Sequence, residues 1–310
     1  MIKKSSIRRI CVATLALFLL LIIYLFPNSD VTIKEHLDYI KKDEMPIFLV
    51  DNSNYVARTS IAKTSQNIND QIKEIIETLT INSKKSTYIR EGFSPIIPEN
   101  TKILNLALEN EILTINFSKE FLTISKENEE KMLEAIIYSL TELKEIKKIK
   151  ILVENNPLTK LPNSNKKIPE FLDKTYGINK IYNLDSIKET SKTTIYYLSK
   201  INDYYYYVPV TKVSNEKLER VEIIIKELKS TPIYHTNLIS YLAASTNITN
   251  YELLENAISL SFNNYLIANM KEEEILEEVK YSIALSLRDT YGVNEVIFNI
   301  PDEENIKISI

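Results

Sequence analysis

The chain has 310 residues, 44% of them hydrophobic, and a formal net charge of -4. This length suits two ordinary domains, each with its own core, and the charge provides no basic footprint for nucleic acid. The chain contains only 3 glycines, which excludes a glycine-rich phosphate loop.

The N-terminus has the pattern of a membrane anchor. Lys3, Lys4, Arg8 and Arg9 precede an apolar run from Ile10 to Phe26 that is long enough to span a bilayer. No small-x-small cleavage site follows, so we predict a cytoplasmic tail (1–9) and an uncleaved transmembrane signal anchor (10–27). A cleaved signal peptide is the alternative. The positive flank favours a single-pass cytoplasmic membrane protein whose remaining residues are extracytoplasmic.

A helical stalk is predicted for residues 28–44 and a first domain for residues 45–156. The domain opens with a hairpin that turns at Asn52-Ser53-Asn54. Asn67 is a candidate N-cap for the helix that follows, and a second strand pair turns at Glu109-Asn110. A longer helix around Met132–Leu143 and a strand at Lys148–Val153 complete the unit.

Proline and polar residues mark a linker at residues 157–191, and a second domain is predicted for residues 192–310. Apolar residues within the linker indicate that part of it packs on a domain. The second domain repeats the order of the first, and we expect Asn269 and Glu272 to cap its last helix.

The two domains align as repeats. Met132–Val153 lies without gaps on Val279–Ile300, and the strand containing Ile115 corresponds to the strand containing Leu260. Shared apolar patterns over such a span indicate two copies of one domain. We therefore predict an α+β fold with two ββαββαβ units, each with its helices on one face of a mixed sheet.

This order of elements resembles the GerMN domain of bacterial sporulation and germination proteins. The resemblance is strongest in Ile96–Leu122, Ala135–Asn155 and Tyr206–Val213. It implies a compact unit similar to ring-building-motif domains, with an assembly role between mother cell and forespore. The chain departs from the family in using a transmembrane anchor where many members are lipoproteins. Asn and Lys also replace the usual turn glycines.

Candidate chemical groups are few, and we predict no catalytic, cofactor-binding or metal-binding residues. His36 and His235 have no partner at metal-ligand spacing, and the single cysteine, Cys11, lies at the membrane boundary. A cation site is the alternative interpretation of the acidic run Glu272–Glu278. Negative charge in the first turns of a helix explains this run more simply.

Tyr204–Tyr207 is the most conspicuous surface candidate. Strand alternation places Tyr204 and Tyr206 on one face and Tyr205 and Tyr207 on the other, so one pair should stay partly exposed. Three roles remain open: sheet packing, contact with a protein partner, and stacking on a glycan.

These observations favour a non-enzymatic, membrane-anchored scaffold of sporulation or germination. It would contact proteins of that machinery or of the envelope, and would also form a membrane-dependent homo-oligomer. A peptidoglycan-binding or regulatory module of the vegetative envelope is the competing hypothesis.

Overall fold

The computed structural model describes residues 43–185, 189–230, 237–263, 266, 276–301 and 305–310. Several predicted features lie outside these residues, namely the anchor, the stalk up to residue 42, Cys11, His36, His235, Asn269 and Glu272–Glu274. Within the described ranges, no helix has the length and apolarity needed to cross a membrane.

The first repeat follows the predicted order. Its elements are β1 (Glu44–Asp51), β2 (Val56–Ala62), α1 (Ile68–Leu79), β3 (Phe93–Ser94), β4 (Ile103–Glu109), β5 (Ile112–Phe117), α2 (Glu129–Leu140) and β6 (Lys148–Val153). The Asp51 carboxylate fixes the first hairpin turn by accepting the backbone N–H groups of Ser53 and Tyr55 at 2.9 and 2.8 Å. Asn67 is the N-cap of α1, as its position in the sequence predicts.

The connection between the repeats contains β7 (Asn156–Pro157) and β8 (Ile181–Asn183). The second repeat contains β9 (Ser191–Ile201), β10 (Tyr204–Ser214), α3 (Arg220–Lys229), β11 (Ile248–Leu253), β12 (Ala257–Phe262), α4 (Glu277–Tyr291), β13 (Glu295–Asn299) and β14 (Ile306–Ser309). The ββαββαβ order therefore occurs twice, and the short strands β3, β7, β8 and β14 were not predicted. Gly292 ends α4 with a φ of 74°, a left-handed conformation that glycine adopts without strain.

The strands of each repeat divide between two sheets, whereas we expected one mixed sheet per repeat. One mixed sheet has the order β4-β5-β6-β7 and the other β11-β12-β13-β14. The two opening hairpins instead join in a shared sheet of order β3-β1-β2-β10-β8, with β9 on the other edge of β10. Alternation in a sequence shows which face of a strand is buried but not which strand lies beside it.

The predicted correspondence between the repeats is confirmed at the residue level. Ile115 pairs with Ile151, and Leu260 pairs with Phe298, each across parallel strands at the centre of its sheet. Ile115 and Leu260 are both fully buried. The two positions therefore occupy equivalent places in the two cores.

A buried serine joins each opening hairpin to the second helix of its own repeat. The Phe48 N–H donates to Ser139 Oγ at 2.8 Å, and the Tyr196 N–H donates to Ser286 Oγ at 2.8 Å. Ser139 and Ser286 are the residues that align in the sequence. The same contact thus recurs in both repeats.

Candidate functional site at the junction of the two repeats

The structure places Tyr204–Tyr207 mainly in packed positions. Tyr206 and Tyr207 are 3% and 5% exposed, while Tyr204 and Tyr205 are partly exposed. One tyrosine on each face is therefore buried, and the expectation that a pair on one face stays exposed is wrong. Tyr206 is buried because it packs edge-on against Phe93 and donates its hydroxyl to Asp51 at 2.9 Å.

The described part of the acidic run lies at the start of α4. Glu277 and Glu278 are in the first turn, and Lys280 pairs with Glu277 at 2.8 Å. Leu276 is the N-cap of α4, so the expectation that Asn269 and Glu272 cap this helix is wrong. Over the described ranges, no group of three or more His, Cys, Asp or Glu side chains is arranged to hold a metal ion.

The two repeats meet at a junction where β2 and β10 pair antiparallel, with Arg58 opposite Tyr207. Phe48 pairs with Arg58 in the first hairpin, and its equivalent Tyr196 pairs with Pro209 in the second. Arg58 therefore corresponds to Pro209, and Val56 to Tyr207. Exchanging the two repeats thus converts the Arg58–Tyr207 pair into Pro209 opposite Val56. The junction is thus close to two-fold symmetric.

Pro209 breaks this symmetry because proline has no N–H to donate across the junction. The side-chain amide of Asn179, a residue of the linker (residues 157–191), instead joins β2 to β10 at Pro209. Its Nδ2 donates to the carbonyls of Val56 and Pro209 at 2.8 and 2.7 Å, and its Oδ1 accepts the Val56 N–H at 2.9 Å. Asn179 has a φ of 46°, a left-handed conformation that asparagine tolerates better than most residues.

A second linker residue, Lys174, bridges the two repeats through a buried ion cluster. Its Nζ lies 2.6 Å from Glu142 Oε1 and 2.7 Å from Asp289 Oδ1. These two acidic residues are equivalent in the aligned repeats, and their side chains are 3% and 0% exposed. Arg288 pairs with both of them, at 2.5 and 2.8 Å, and Arg58 lies 3.5 Å from Glu142.

Both carboxyl groups are held in their ionised form. Burial alone would raise the pKa of Glu142, but Arg288, Lys174 and Arg58 outweigh burial and hold it well below its ordinary value. Arg288 and Lys174 likewise outweigh burial at Asp289 and lower its pKa. The Tyr196 hydroxyl also donates to Asp289. The cluster is therefore an ionised cross-link between the repeats and the linker.

One face of α2 holds the linker along its whole length. Glu130, Glu134 and Tyr138 form this face at i, i+4 spacing, and Glu142 continues the spacing in the turn that follows the helix. Glu130 pairs with Lys166, Glu134 with Lys180, and Tyr138 donates its hydroxyl to the Lys174 carbonyl at 3.1 Å.

Sequence reasoning missed this face of α2. It assigned the apolar positions of the helix to the core and left its acidic positions without a role. The four-residue spacing of these polar residues, together with the three linker lysines, was the available signal.

The linker also packs through apolar side chains. Leu161, Leu172 and Ile178 are at most 2% exposed. Leu172 forms a backbone bridge with Ile149 of the first repeat, and β8 runs parallel to β10 of the second. The linker is therefore bonded to both repeats.

Comparisons with known proteins agree with this architecture. Residues 41–159 match the family model described as "Germane: Sporulation and spore germination". The chain is 26% identical over 256 residues to the spore germination protein GerM of Bacillus subtilis (strain 168), covering 81% of this chain and 69% of that protein. The solved tandem GerMN domains of the sporulation protein GerM from Bacillus subtilis superpose with a TM-score of 0.76 at 24% identity, covering 84% of this chain and 92% of that chain. The fold is therefore that of two GerMN domains in tandem.

Proposed function

The chain belongs to the GerMN domain family, and on that premise we propose that it serves sporulation or spore germination as a non-enzymatic scaffold anchored in the cytoplasmic membrane. Its two domains act outside that membrane, in the space between mother cell and forespore. The junction is the observation that carries this proposal. Two domains that share a sheet and a buried ion cluster present their outer surfaces in a fixed relation, which a scaffold requires.

The outer surfaces available to partner proteins are the sheet edges and the exposed helix faces. Strands β4 and β11 each pair with one neighbour only among the described strands. Leu104 and Leu253 on these strands are 48% and 54% exposed. An edge strand offers unpaired backbone groups, and exposed apolar side chains add contact area for a protein partner.

Self-association along the membrane belongs to the same proposal. Lys102, Glu109 and Glu252 are exposed on or beside the edge strands β4 and β11. Contacts between such surface charges are weak and screened by salt. Anchoring on a two-dimensional membrane raises the effective concentration of the domains. Assembly is therefore expected on the membrane and not in free solution.

Deleting residues 1–27 tests this role. The truncated protein, exported with a cleavable signal, should remain folded and largely monomeric in sedimentation experiments, and spore formation or germination should fail. A matched control replaces residues 1–27 with an unrelated transmembrane segment of the same orientation, which should restore function. A tight oligomer in solution, or full function of the secreted form, would contradict the tether-dependent mechanism.

Localisation separates this role from the competing one. A fluorescent fusion of the full chain should be produced during sporulation and concentrate at the engulfing septum. A uniform envelope signal in growing cells would instead favour the wall-binding module. The sequence offered Tyr204–Tyr207 as a possible glycan-stacking surface for that module, but Tyr206 and Tyr207 are buried and cannot stack on a glycan.

A further inference from the structure

A pocket of about 280 Å³ lies where the linker meets both repeats. Glu130 on α2 and Val213 on β10 contribute to its wall, and most of the remaining lining comes from the linker. Small-molecule sites occur preferentially at such domain interfaces, and drug-sized ligands occupy pockets of roughly 300–1,000 Å³. This pocket therefore suits a ligand no larger than a monosaccharide.

The charge of the pocket favours an anion. Its ionisable lining residues are Lys166, Lys180, Lys192, Glu130 and Asp173, which carry a formal charge of +1. Glu130 Oε1 is shared by Lys166 and Lys180, each at 2.9 Å. Both of these lysines are therefore already neutralised in part.

Lys192 is the cation of the pocket without a carboxylate partner among the described residues. Its Nζ donates to the Thr175 carbonyl at 2.8 Å. Burial, and then the positive charges of Lys180 and Lys166, lower the pKa of Lys192, and the negative charge of Asp173 opposes them only in part. A ligand carboxylate beside Nζ would relieve this repulsion and replace solvent lost on burial.

Aromatic rings form the other part of the wall. Tyr182 and Phe171 line the pocket although 61% and 40% of their surfaces are exposed. Lys180 Nζ lies 4.2 Å from the centre of the Tyr176 ring, and the buried Tyr176 hydroxyl has no hydrogen-bond partner among the described residues. An exposed aromatic ring beside polar groups can stack on the apolar face of a sugar ring while the polar groups bind its hydroxyls.

We propose that this pocket binds a sugar bearing a single carboxylate, with the carboxylate on Lys192 and the sugar ring against Tyr182. A monocarboxylate matches the formal charge of the lining, whereas a dianionic phosphate would be repelled by Glu130 and Asp173. This binding activity is independent of the scaffold role, because it concerns a small ligand and not a protein partner.

The test uses the full-length chain in detergent and follows ligand binding by NMR with N-acetylmuramic acid as the probe. We expect a dissociation constant on the order of 1 mM, typical of a small polar ligand held by a few contacts. Lys192→Gln should weaken binding about tenfold through the loss of one charge-assisted contact. Lys167→Gln is the matched control, since Lys167 is an exposed linker lysine outside the pocket, and it should leave binding unchanged.

Further probes separate the contributions of ring and charge. Glucuronic acid, a carboxylated sugar from a different source, should also bind, and a preference between the two acids identifies the source. N-acetylglucosamine and acetate, which each lack one of the two groups, should bind at least about tenfold more weakly. The proposal is overturned if N-acetylglucosamine binds as tightly as the acids, if Lys192→Gln has no effect, or if neither acid binds at about 10 mM.

Discussion

Glu142→Gln should destabilise the protein by about 3–5 kcal/mol, the usual cost of removing one partner from a buried ion pair. Lys174 and Arg288 contact the Glu142 carboxylate directly, and Arg58 lies beside it. Replacing the carboxylate by a neutral amide removes one negative charge from the cluster, in which Asp289 still pairs with Lys174 and Arg288. Urea denaturation of the full-length protein and the variant measures the loss.

Glu145→Gln is the matched control, because Glu145 is exposed three residues farther along the same segment. It should change the free energy of unfolding by no more than about 0.5 kcal/mol. Equal effects of the two substitutions would show that the Glu142 carboxylate contributes no more to the free energy of unfolding than an exposed carboxylate does.

Glu142→Gln should also reduce the pH dependence of the free energy of unfolding. The pKa values of Glu142 and Asp289 are lowered in the folded protein, so their contribution is complete above the unfolded pKa values of about 4.3 and 3.9. It is lost as pH falls below those values towards the folded pKa values, because the unfolded state then binds more protons. The wild-type protein should therefore lose more stability than Glu142→Gln between about pH 5 and pH 3.

Substitutions in either core should shift one shared unfolding transition. Ile115→Ala and Leu260→Ala each remove a fully buried side chain from an equivalent position and should cost about 2–5 kcal/mol. Because the repeats share a sheet and an ion cluster, unfolding one exposes the junction face of the other. Calorimetry should show a single transition whose midpoint both variants lower.

Two calorimetric transitions, with Ile115→Ala lowering only one and Leu260→Ala only the other, would contradict this cooperativity. Thr249→Ala is a useful control, since Thr249 is exposed on the edge strand β11. It should leave the midpoint nearly unchanged.

The order of elements and the repeat could be predicted because they depend on local patterns. Apolar alternation around Ile115 and Leu260 located their strands, and Asn67 marked the start of α1. The recurrence of Ser139 as Ser286 placed equivalent helices correctly. Each of these signals lies within a few residues of the feature that it predicts.

The junction could not be predicted in the same way because its contacts join distant segments. Phe48 pairs with Arg58 through an ordinary hairpin, but nothing in the local sequence indicates that β10 pairs with the other edge of β2. Asn179 resembles any turn asparagine until Pro209 is placed opposite Val56. The role of Glu142 likewise emerges only when Lys174 and Asp289 meet it in space.

We conclude that the linker holds the two repeats as one rigid unit, and a distance measured between spin labels in the two repeats tests this rigidity. Glu109 is the exposed last residue of β4 in the first repeat, and Glu255 lies in the exposed turn between β11 and β12 of the second. Cys11 is the only native cysteine, so Cys11→Ser permits selective labelling of Glu109→Cys and Glu255→Cys.

Pulsed electron paramagnetic resonance on the labelled full-length chain should give one narrow distribution of distances between the two labels. Adding Asn179→Ala should broaden it, because the Val56 and Pro209 groups lose their bridge. Adding Asn165→Ala should not, since exposed Asn165 shares the left-handed backbone with a φ of 57° but lies outside the junction. A broad distribution in the otherwise unaltered chain, insensitive to Asn179→Ala, would show that the linker does not hold the two repeats in a fixed relation.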